Sequence, residues 1–97
     1  MLSSKQRAFL RSISNGLSPV FQVGKAGVTP EFVASVDEAL EKRELVKISI
    51  LQSCEDAPKD VAETVRGRTR SDLVQVIGGK FVLYRKAKKA VIDLPKQ

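Results

Sequence analysis

The chain has 97 residues, of which 42% are hydrophobic, enough for one compact core and too few for two independent ones. Its single cysteine, Cys54, and its lack of histidine exclude a disulfide framework, a zinc site built on Cys and His, and every His-dependent catalytic triad. The net charge of +6 favours a polyanionic partner, so we expect one domain over residues 1–97 with no enzymatic activity, no small-molecule substrate and no metal or other cofactor.

The first predicted element is a helix over about residues 5–14, which Ser3 or Ser4 can cap. An apolar stripe at helical spacing is expected to face the core. Arg7 and Arg11 lie four residues apart and therefore share a different, solvent-facing side of this helix.

A short apolar strand over residues 19–23 follows and runs directly into the sequence Gly24-Lys25-Ala26-Gly27. Thr29 and Pro30 then mark a helix start, because the Thr hydroxyl can cap the first turn and proline at the first helical position loses no needed hydrogen bond. The apolar spacing that follows predicts an amphipathic helix to about Arg43.

The sequence of the second half of the chain predicts a strand, then a helix, and then a hairpin of two strands. Alternating apolar residues indicate a strand over about residues 45–52, and a shorter helix is expected over about residues 58–67. Residues 73–77 and 81–84 are β-rich, and Gly78-Gly79-Lys80 between them is typical of a tight hairpin turn.

The element order α-β-α-β-α-β-β predicts an α/β fold in a single domain, with one four-stranded mixed sheet flanked by helices. Each β-α-β unit should place its strands parallel, and the final hairpin should be antiparallel. The predicted core covers about residues 2–85, and residues 86–97 form a basic tail whose structure the sequence does not predict.

Charge is segregated along the chain. Residues 1–29 carry four bases and no acid, residues 30–64 carry nine acids against four bases, and residues 65–97 carry nine bases against two acids. A protein without a binding role usually intersperses the two signs, so this pattern predicts that the two basic segments meet on one face.

The Gly24–Gly27 turn is a candidate phosphate site because exposed backbone amides and the positive end of the following helix both favour negative charge. Glycines let a nucleic-acid backbone approach closely, and Lys25 adds a mobile cation. Glu31, in the first turn of the helix, would repel a phosphate placed beside it, so the ligand is expected over the glycines. The alternative, that the glycines only shape a turn, stays open at this point.

Five segments of the sequence, in this order along the chain, resemble the CRM domain, and in particular its stand-alone bacterial YhbY-type form. The resemblance covers about residues 2–85. The segments are LSSKQR at 2–7, PVFQVGKAGVT at 19–29, ELVK at 44–47, LVQVIG at 73–78 and LYR at 83–85. The sequence departs from the family pattern after Thr69, where Arg70 stands in place of an expected small, helix-ending residue.

The resemblance implies a fold similar to the C-terminal domain of bacterial translation initiation factor three and a GxxG loop analogous to that of KH domains. It also implies RNA binding, with the bacterial single-domain members associated with large-subunit precursors during ribosome assembly. The RNA-binding residues predicted on this basis belong to the loop, to the basic first helix and to the end of the last strand. They are Gly24, Lys25, Ala26, Gly27, Lys5, Arg7, Arg11 and Arg85.

The expected partner is structured RNA held by its backbone, most specifically large-subunit ribosomal RNA or a precursor ribosomal particle. The four phenylalanines and Tyr84 are all assigned to packed positions, so bases are not expected to stack on aromatic side chains. An alternative is a basic protein-interaction module that docks on an acidic ribosomal or translational partner. DNA also stays open, because phosphates of the two polymers are alike.

A membrane partner is disfavoured, because no predicted helix combines a basic face with a wide apolar face. No apolar stretch approaches the roughly 20 residues needed to span a bilayer, and the N-terminal residues lack the apolar run of a secretory signal. We therefore expect the protein in the cytoplasm. We also expect it to be a monomer.

Overall fold

The computed structural model describes residues 2–96 and contains three helices and one four-stranded sheet. The predicted order of elements is confirmed. No helix within the described residues is both long and apolar enough to cross a lipid bilayer. The elements are α1 (Ser4–Ser14), β1 (Phe21–Val23), α2 (Pro30–Arg43), β2 (Leu45–Ile50), α3 (Pro58–Thr69), β3 (Asp72–Ile77) and β4 (Lys80–Tyr84).

The first two helices begin at side-chain caps. Ser3 caps α1 through a capping box, in which its hydroxyl accepts from the amide of Gln6 and the Gln6 side chain accepts from the Ser3 amide. Thr29 caps α2 by accepting from the amide of Phe32, with Pro30 at the first helical position, as the sequence predicts. These caps fix where each helix leaves the preceding loop.

The strands lie in the order β1-β2-β4-β3, with β1 parallel to β2 and both other pairs antiparallel. The mixed sheet is therefore as predicted, with β4 inserted between β2 and β3. β1 and β2 end at the same edge of the sheet as the β3–β4 turn, because Val23 pairs with Ile50 and Ile77 pairs with Lys80. We call this edge the loop end.

Helices cover both faces of the sheet, so the core has two parts. The larger cluster lies between the sheet and α2 and α3, and its fully buried members include Val36, Leu40, Ile48, Val65 and Phe81. The smaller cluster lies under α1 on the opposite face, around Leu10, Leu45, Val74, Val82 and Tyr84. All four phenylalanines and Tyr84 belong to or pack against one of these clusters, as predicted.

Helix α3 is two residues longer than predicted and ends without a small residue. Arg70 adopts left-handed backbone angles (φ +54°, ψ +44°), and its amide donates to the carbonyl of Arg66. The amide of Ser71 donates to the same carbonyl at 3.1 Å. Arg70 therefore performs the helix-ending role for which a glycine is the usual residue.

The basic tail packs against the domain, and one buried carboxylate holds it there. Glu44 follows α2 with a positive φ of +64° and is fully buried. Its carboxylate accepts from the amides of Ala87 at 2.7 Å, Val91 at 2.8 Å and Ile92 at 2.6 Å. Burial alone would raise the pKa of Glu44, but these amides and the charge of Lys86 outweigh it and hold the pKa below its ordinary value.

Candidate nucleic-acid interface

The Gly24–Gly27 loop is a tight turn at the loop end of the sheet. The amide of Gly27 donates to the carbonyl of Gly24 at 2.9 Å, which closes the turn. Gly27 has a φ of +69°, where side chains are strained, so the turn requires glycine there. Lys25 and Ala26 are exposed residues, and among the described residues their amides have no hydrogen-bond acceptor, which leaves both free to bind an anion.

Gly24 has a structural reason of its own. A Cβ atom at this position would lie 3.3 Å from Ser53 Oγ, tighter than most Cβ contacts, and 3.5 Å from Leu51 Cδ1, an ordinary van der Waals distance. Glycine is therefore favoured at position 24 by the Ser53 contact and at position 27 by the positive φ, without reference to a ligand. The evidence for ligand binding lies in the free amides and in the charge around them.

The two sides of the loop differ in charge. On the side of α2 and α3, Glu31 occupies the first turn of α2, and Asp56 Oδ2 lies 3.9 Å from the position of a Cβ on Gly27. On the side of α1, Lys80 lies at the loop end of β4, is exposed and makes no ion pair within residues 2–96. A polyanion bound at the loop is therefore directed toward the α1 side.

The predicted basic residues of α1 differ in their freedom to bind a ligand. Arg7 is half-buried, and its guanidinium donates to the carbonyl of Leu73 on β3. Arg11 is exposed and lies one turn nearer the end of α1 that approaches the loop end. Lys5 is exposed near the other end of the helix, where its neighbour Gln6 donates to the carbonyl of Pro95. Arg11 is thus the best placed of the three to extend the loop site.

Arg85 follows β4 at the end of the strand that is far from the loop. It lies roughly 17 Å along the strand from Lys80, which begins β4 at the loop end. Its guanidinium donates to the Asp37 side chain, to the carbonyl of Asp37 at 3.0 Å and to the carbonyl of Thr69 at 2.7 Å. It also lies 3.6 Å from the carboxylate of Glu41. These contacts join α2, α3 and β4, and an RNA contact of Arg85 stays a prediction.

The second basic segment is divided between the two faces of the sheet, since Lys80 and the tail residues Ile92 and Leu94 lie on the α1 side whereas α3 covers the other face. The predicted meeting of the two basic segments on one face therefore holds only in part. Arg66 and Arg68 belong to α3, which covers the opposite face of the sheet from α1, and Arg66 pairs with Glu63 at 2.8 Å. The tail lysines follow the far end of β4. Lys80 lies at the loop end but is not among the site residues predicted from the sequence. It could have been predicted from its place in the hairpin turn Gly78-Gly79-Lys80, because that turn lies at the same end of the sheet as the Gly24–Gly27 loop.

Other chemistry in the described residues is sparse. Cys54 is half-buried against the larger core cluster, with its thiol 3.9 Å from the carbonyl of Asp56. Within residues 2–96, no group of three or more His, Cys, Asp or Glu side chains is arranged to hold a metal ion.

Comparison with known proteins identifies related chains of the same size. The chain is 50% identical over 96 residues to the Probable RNA-binding protein YqeI of Bacillus subtilis, covering 98% of this chain and all of YqeI. It is 32% identical to a protein of Haemophilus influenzae named RNA-binding protein, covering 99% of this chain and 97% of that one. The solution structure of the hypothetical protein SAV1595 from Staphylococcus aureus, presented as a candidate RNA-binding protein, superposes with a TM-score of 0.83 at 45% identity. That match covers 98% of this chain and all of SAV1595.

Residues 2–85 match the CRS1/YhbY (CRM) domain, the same range over which the sequence segments resemble it. The match includes α1, the Gly24–Gly27 loop and all four strands. The chain therefore belongs to the CRS1/YhbY (CRM) domain family.

Proposed function

We propose that this protein binds structured RNA and that the Gly24–Gly27 loop holds the sugar-phosphate backbone. The observation that carries the proposal is the pair of unbonded amides of the exposed residues Lys25 and Ala26, with the Lys25 cation in the same turn and Lys80 at the same end of the sheet. Backbone amides donate hydrogen bonds to phosphate oxygens without regard to base sequence. The names of the relatives, which describe RNA-binding proteins of the same length, support RNA as the polymer.

The proposed partner is large-subunit ribosomal RNA in precursor particles during ribosome assembly, bound by a monomer in the cytoplasm. This part of the proposal is supported by membership of the family and not by the loop geometry, which fits any exposed phosphate backbone. Crosslinking of RNA to the protein in cells, followed by sequencing, tests it. Reads spread over messenger RNA with no enrichment in ribosomal RNA would contradict it.

The loop itself is tested by replacing Lys25 and Ala26 with aspartate. The two carboxylates would stand where a phosphate is expected, so we expect RNA affinity to fall by more than about tenfold, or over about 1.4 kcal/mol. Both side chains are exposed, so the free energy of unfolding should change by about 1 kcal/mol or less. Fluorescence anisotropy with a structured RNA and urea unfolding measure the two quantities.

The matched control is Lys88→Asp with Lys89→Gln. A lysine-to-aspartate change lowers the charge by two, and either alanine-to-aspartate or lysine-to-glutamine lowers it by one, so both double variants lose the same charge. Lys88 and Lys89 are exposed and lie beyond the far end of β4. Equal losses of affinity in the two variants would show that net charge, and not the loop, governs binding. If a captured partner survives nuclease treatment, a protein-docking role replaces the RNA role.

A further inference from the structure

Helix α1 covers only part of its face of the sheet. The helix ends over the row formed by Lys47, Val82 and Gln75, because Lys47 Nζ donates to the carbonyl of Ser14 at 3.2 Å and Gln75 Nε2 donates to Ser14 Oγ at 3.3 Å. The next row toward the loop end lies beyond the end of α1. In that part of the sheet Gln22, Ile77 and Lys80 are exposed and Ser49 is half-buried.

The residues of the open row follow from the strand register. Gln22 pairs with Ser49, Ser49 pairs with Lys80, and Lys80 pairs with Ile77, so the four side chains share one face across all four strands. The positions that alternate with them, Ile48 and Phe81 among others, face the core under α2 and α3. The row therefore lies on the α1 face and spans about 14 Å, or three strand spacings.

Leu51 joins this row to the loop. Its amide donates to the carbonyl of Val23 at 2.8 Å, which continues the strand pattern by one residue and places its side chain on the α1 face. Leu51 Cδ1 lies 3.5 Å from the Cβ position of Gly24, as described above. We call Gln22, Ser49, Leu51, Ile77 and Lys80 the sheet platform.

We propose that the sheet platform holds unpaired nucleotides of the RNA whose backbone is bound at the Gly24–Gly27 loop. This inference rests on the proposed function of the loop. It adds that the protein favours RNA in which a helical region adjoins a single-stranded one. The bases lie on the platform, and the adjacent phosphates lie at the loop and beside Lys80.

The side chains of the platform suit this occupant. Ile77 is 60% exposed and Leu51 is 40% exposed, so both offer apolar surface to the faces of bases. Gln22 and Ser49 can donate to and accept from base edges, and Lys80 supplies a cation. A duplex offers mainly phosphates and sugars to a protein surface, whereas unpaired bases expose the apolar faces that Leu51 and Ile77 complement. No acid is among the platform residues, whereas Glu31 and Asp56 lie toward the opposite face.

The test compares two RNA probes, a blunt duplex and the same duplex with a short unpaired overhang. The variant Leu51→Ser with Ile77→Ser should bind the overhang probe about tenfold more weakly than the unmodified protein, because it removes the two exposed apolar side chains that bases would cover. Its affinity for the blunt duplex should change by less than about twofold, well under 1 kcal/mol. The control Val91→Ser removes an equally exposed apolar side chain, 59% exposed, from the tail and should change neither affinity.

The loop and the platform fail in different ways. If Lys25→Asp with Ala26→Asp binds both probes weakly while the platform variant binds the overhang probe normally, the platform is rejected and the loop is retained. If the platform variant loses affinity for both probes equally, the preference for unpaired nucleotides is wrong. If the loop variant keeps full affinity for both probes, the proposed function of the loop is wrong, whatever the platform variant does.

A second measurement uses the unmodified protein, so it does not depend on whether the variant folds. Thiouridine placed in the overhang should crosslink to the peptides that contain Leu51 or Ile77, and thiouridine in the duplex should not. Crosslinks confined to α3 or to the tail would overturn the proposal.

Discussion

The role of Glu44 could not be predicted from the sequence, in which it is one of several acids in or next to an amphipathic helix. In the structure it has a positive φ outside the αL region (φ +64°, ψ −31°), and such sparsely populated backbone angles cost roughly 1–3 kcal/mol. Three amides of the tail donate to its carboxylate, and hydrogen bonds to a charged group contribute about 1.5–3 kcal/mol each before the cost of burial. These bonds offset the strain and the desolvation of the charge.

The variant Glu44→Gln should lower the free energy of unfolding by about 1–3 kcal/mol at neutral pH. The amide NH₂ would face one of the three backbone donors, so that donor would lose its acceptor while buried. Because the pKa of Glu44 is lowered in the folded state, its ionised form stabilises the fold above the ordinary glutamate pKa, and this contribution is lost as pH falls through the folded-state value. The stability difference between the two proteins should therefore shrink as the pH falls below the ordinary value of 4.5.

Urea unfolding of both proteins over a range of acidic pH measures this difference. A constant difference down to the pH at which both proteins unfold would show that the charge of Glu44 does not hold the tail. Amide exchange at Val91 and Ile92 gives a local reading of the same contact, because both amides donate to this carboxylate.

At the scale of the elements, the end of α3 is under local strain. Arg70 is exposed and left-handed, and its amide and that of Ser71 both bond to the carbonyl of Arg66. The geometry is one that glycine adopts without a steric cost. These backbone angles are the physical reason that a small residue is expected at this place.

The variant Arg70→Gly should raise the free energy of unfolding by up to about 1 kcal/mol. Relief of roughly 1–2 kcal/mol of left-handed strain is offset by the larger backbone entropy of glycine in the unfolded chain, about 0.4–1 kcal/mol. Since Arg70 is exposed and lies between α3 and the start of β3, at the end of the sheet far from the Gly24–Gly27 loop, RNA affinity should change by less than about 1 kcal/mol. Thermal unfolding and anisotropy measure the two effects. A loss of affinity of about 3 kcal/mol would instead assign Arg70 a direct contact with RNA, because exposed charges contribute far less.

The elements could be predicted because each is encoded locally. The Thr29-Pro30 cap, the alternation from Val46 to Ile50 and the Gly78-Gly79 turn each depend on residues within one turn or one strand. The order of the strands and the packing of the tail could not be predicted, because both depend on contacts between residues far apart in the sequence. Nothing near Glu44 in the sequence indicates that its carboxylate binds residues more than 40 positions later.

The candidate site shows the same division. The loop could be predicted from four consecutive residues, whereas the positions of Lys80 and Arg85 depend on strand register. Register places Lys80 beside the loop and Arg85 at the opposite end of the same strand. A list of basic residues from the sequence could not separate these two, because both lie next to β-rich segments with no nearby acid.

At the scale of the whole molecule, the net charge of +6 and the few exposed cations at the loop end lead to a prediction about salt. If Lys25, Lys80 and Arg11 each neutralise one phosphate, the plot of log affinity against log salt should have a slope of about −2 to −3. The variant Lys80→Gln should reduce the magnitude of that slope by about one. Preference among short unstructured sequences should be small, because few exposed aromatic side chains are available to read bases.

Titrations at several salt concentrations measure these slopes. A flat plot would contradict the assignment of phosphate contacts, and an unchanged slope for Lys80→Gln would remove Lys80 from the site. The control Lys88→Asp with Lys89→Gln should leave the slope nearly unchanged, because those side chains lie outside the proposed contacts.

The packing of the tail also brings the first and last described segments together. Leu2 and Leu94 pack against the same core cluster, and the carbonyl of Pro95 accepts from Gln6 in the first turn of α1. Leu2 and Pro95 therefore lie on the same side of the molecule, far from the Gly24–Gly27 loop. A surface attachment, a fluorophore or a neighbouring domain joined at either end would leave the loop end facing solvent. A circularly permuted chain could close this gap with a short linker and keep both core clusters.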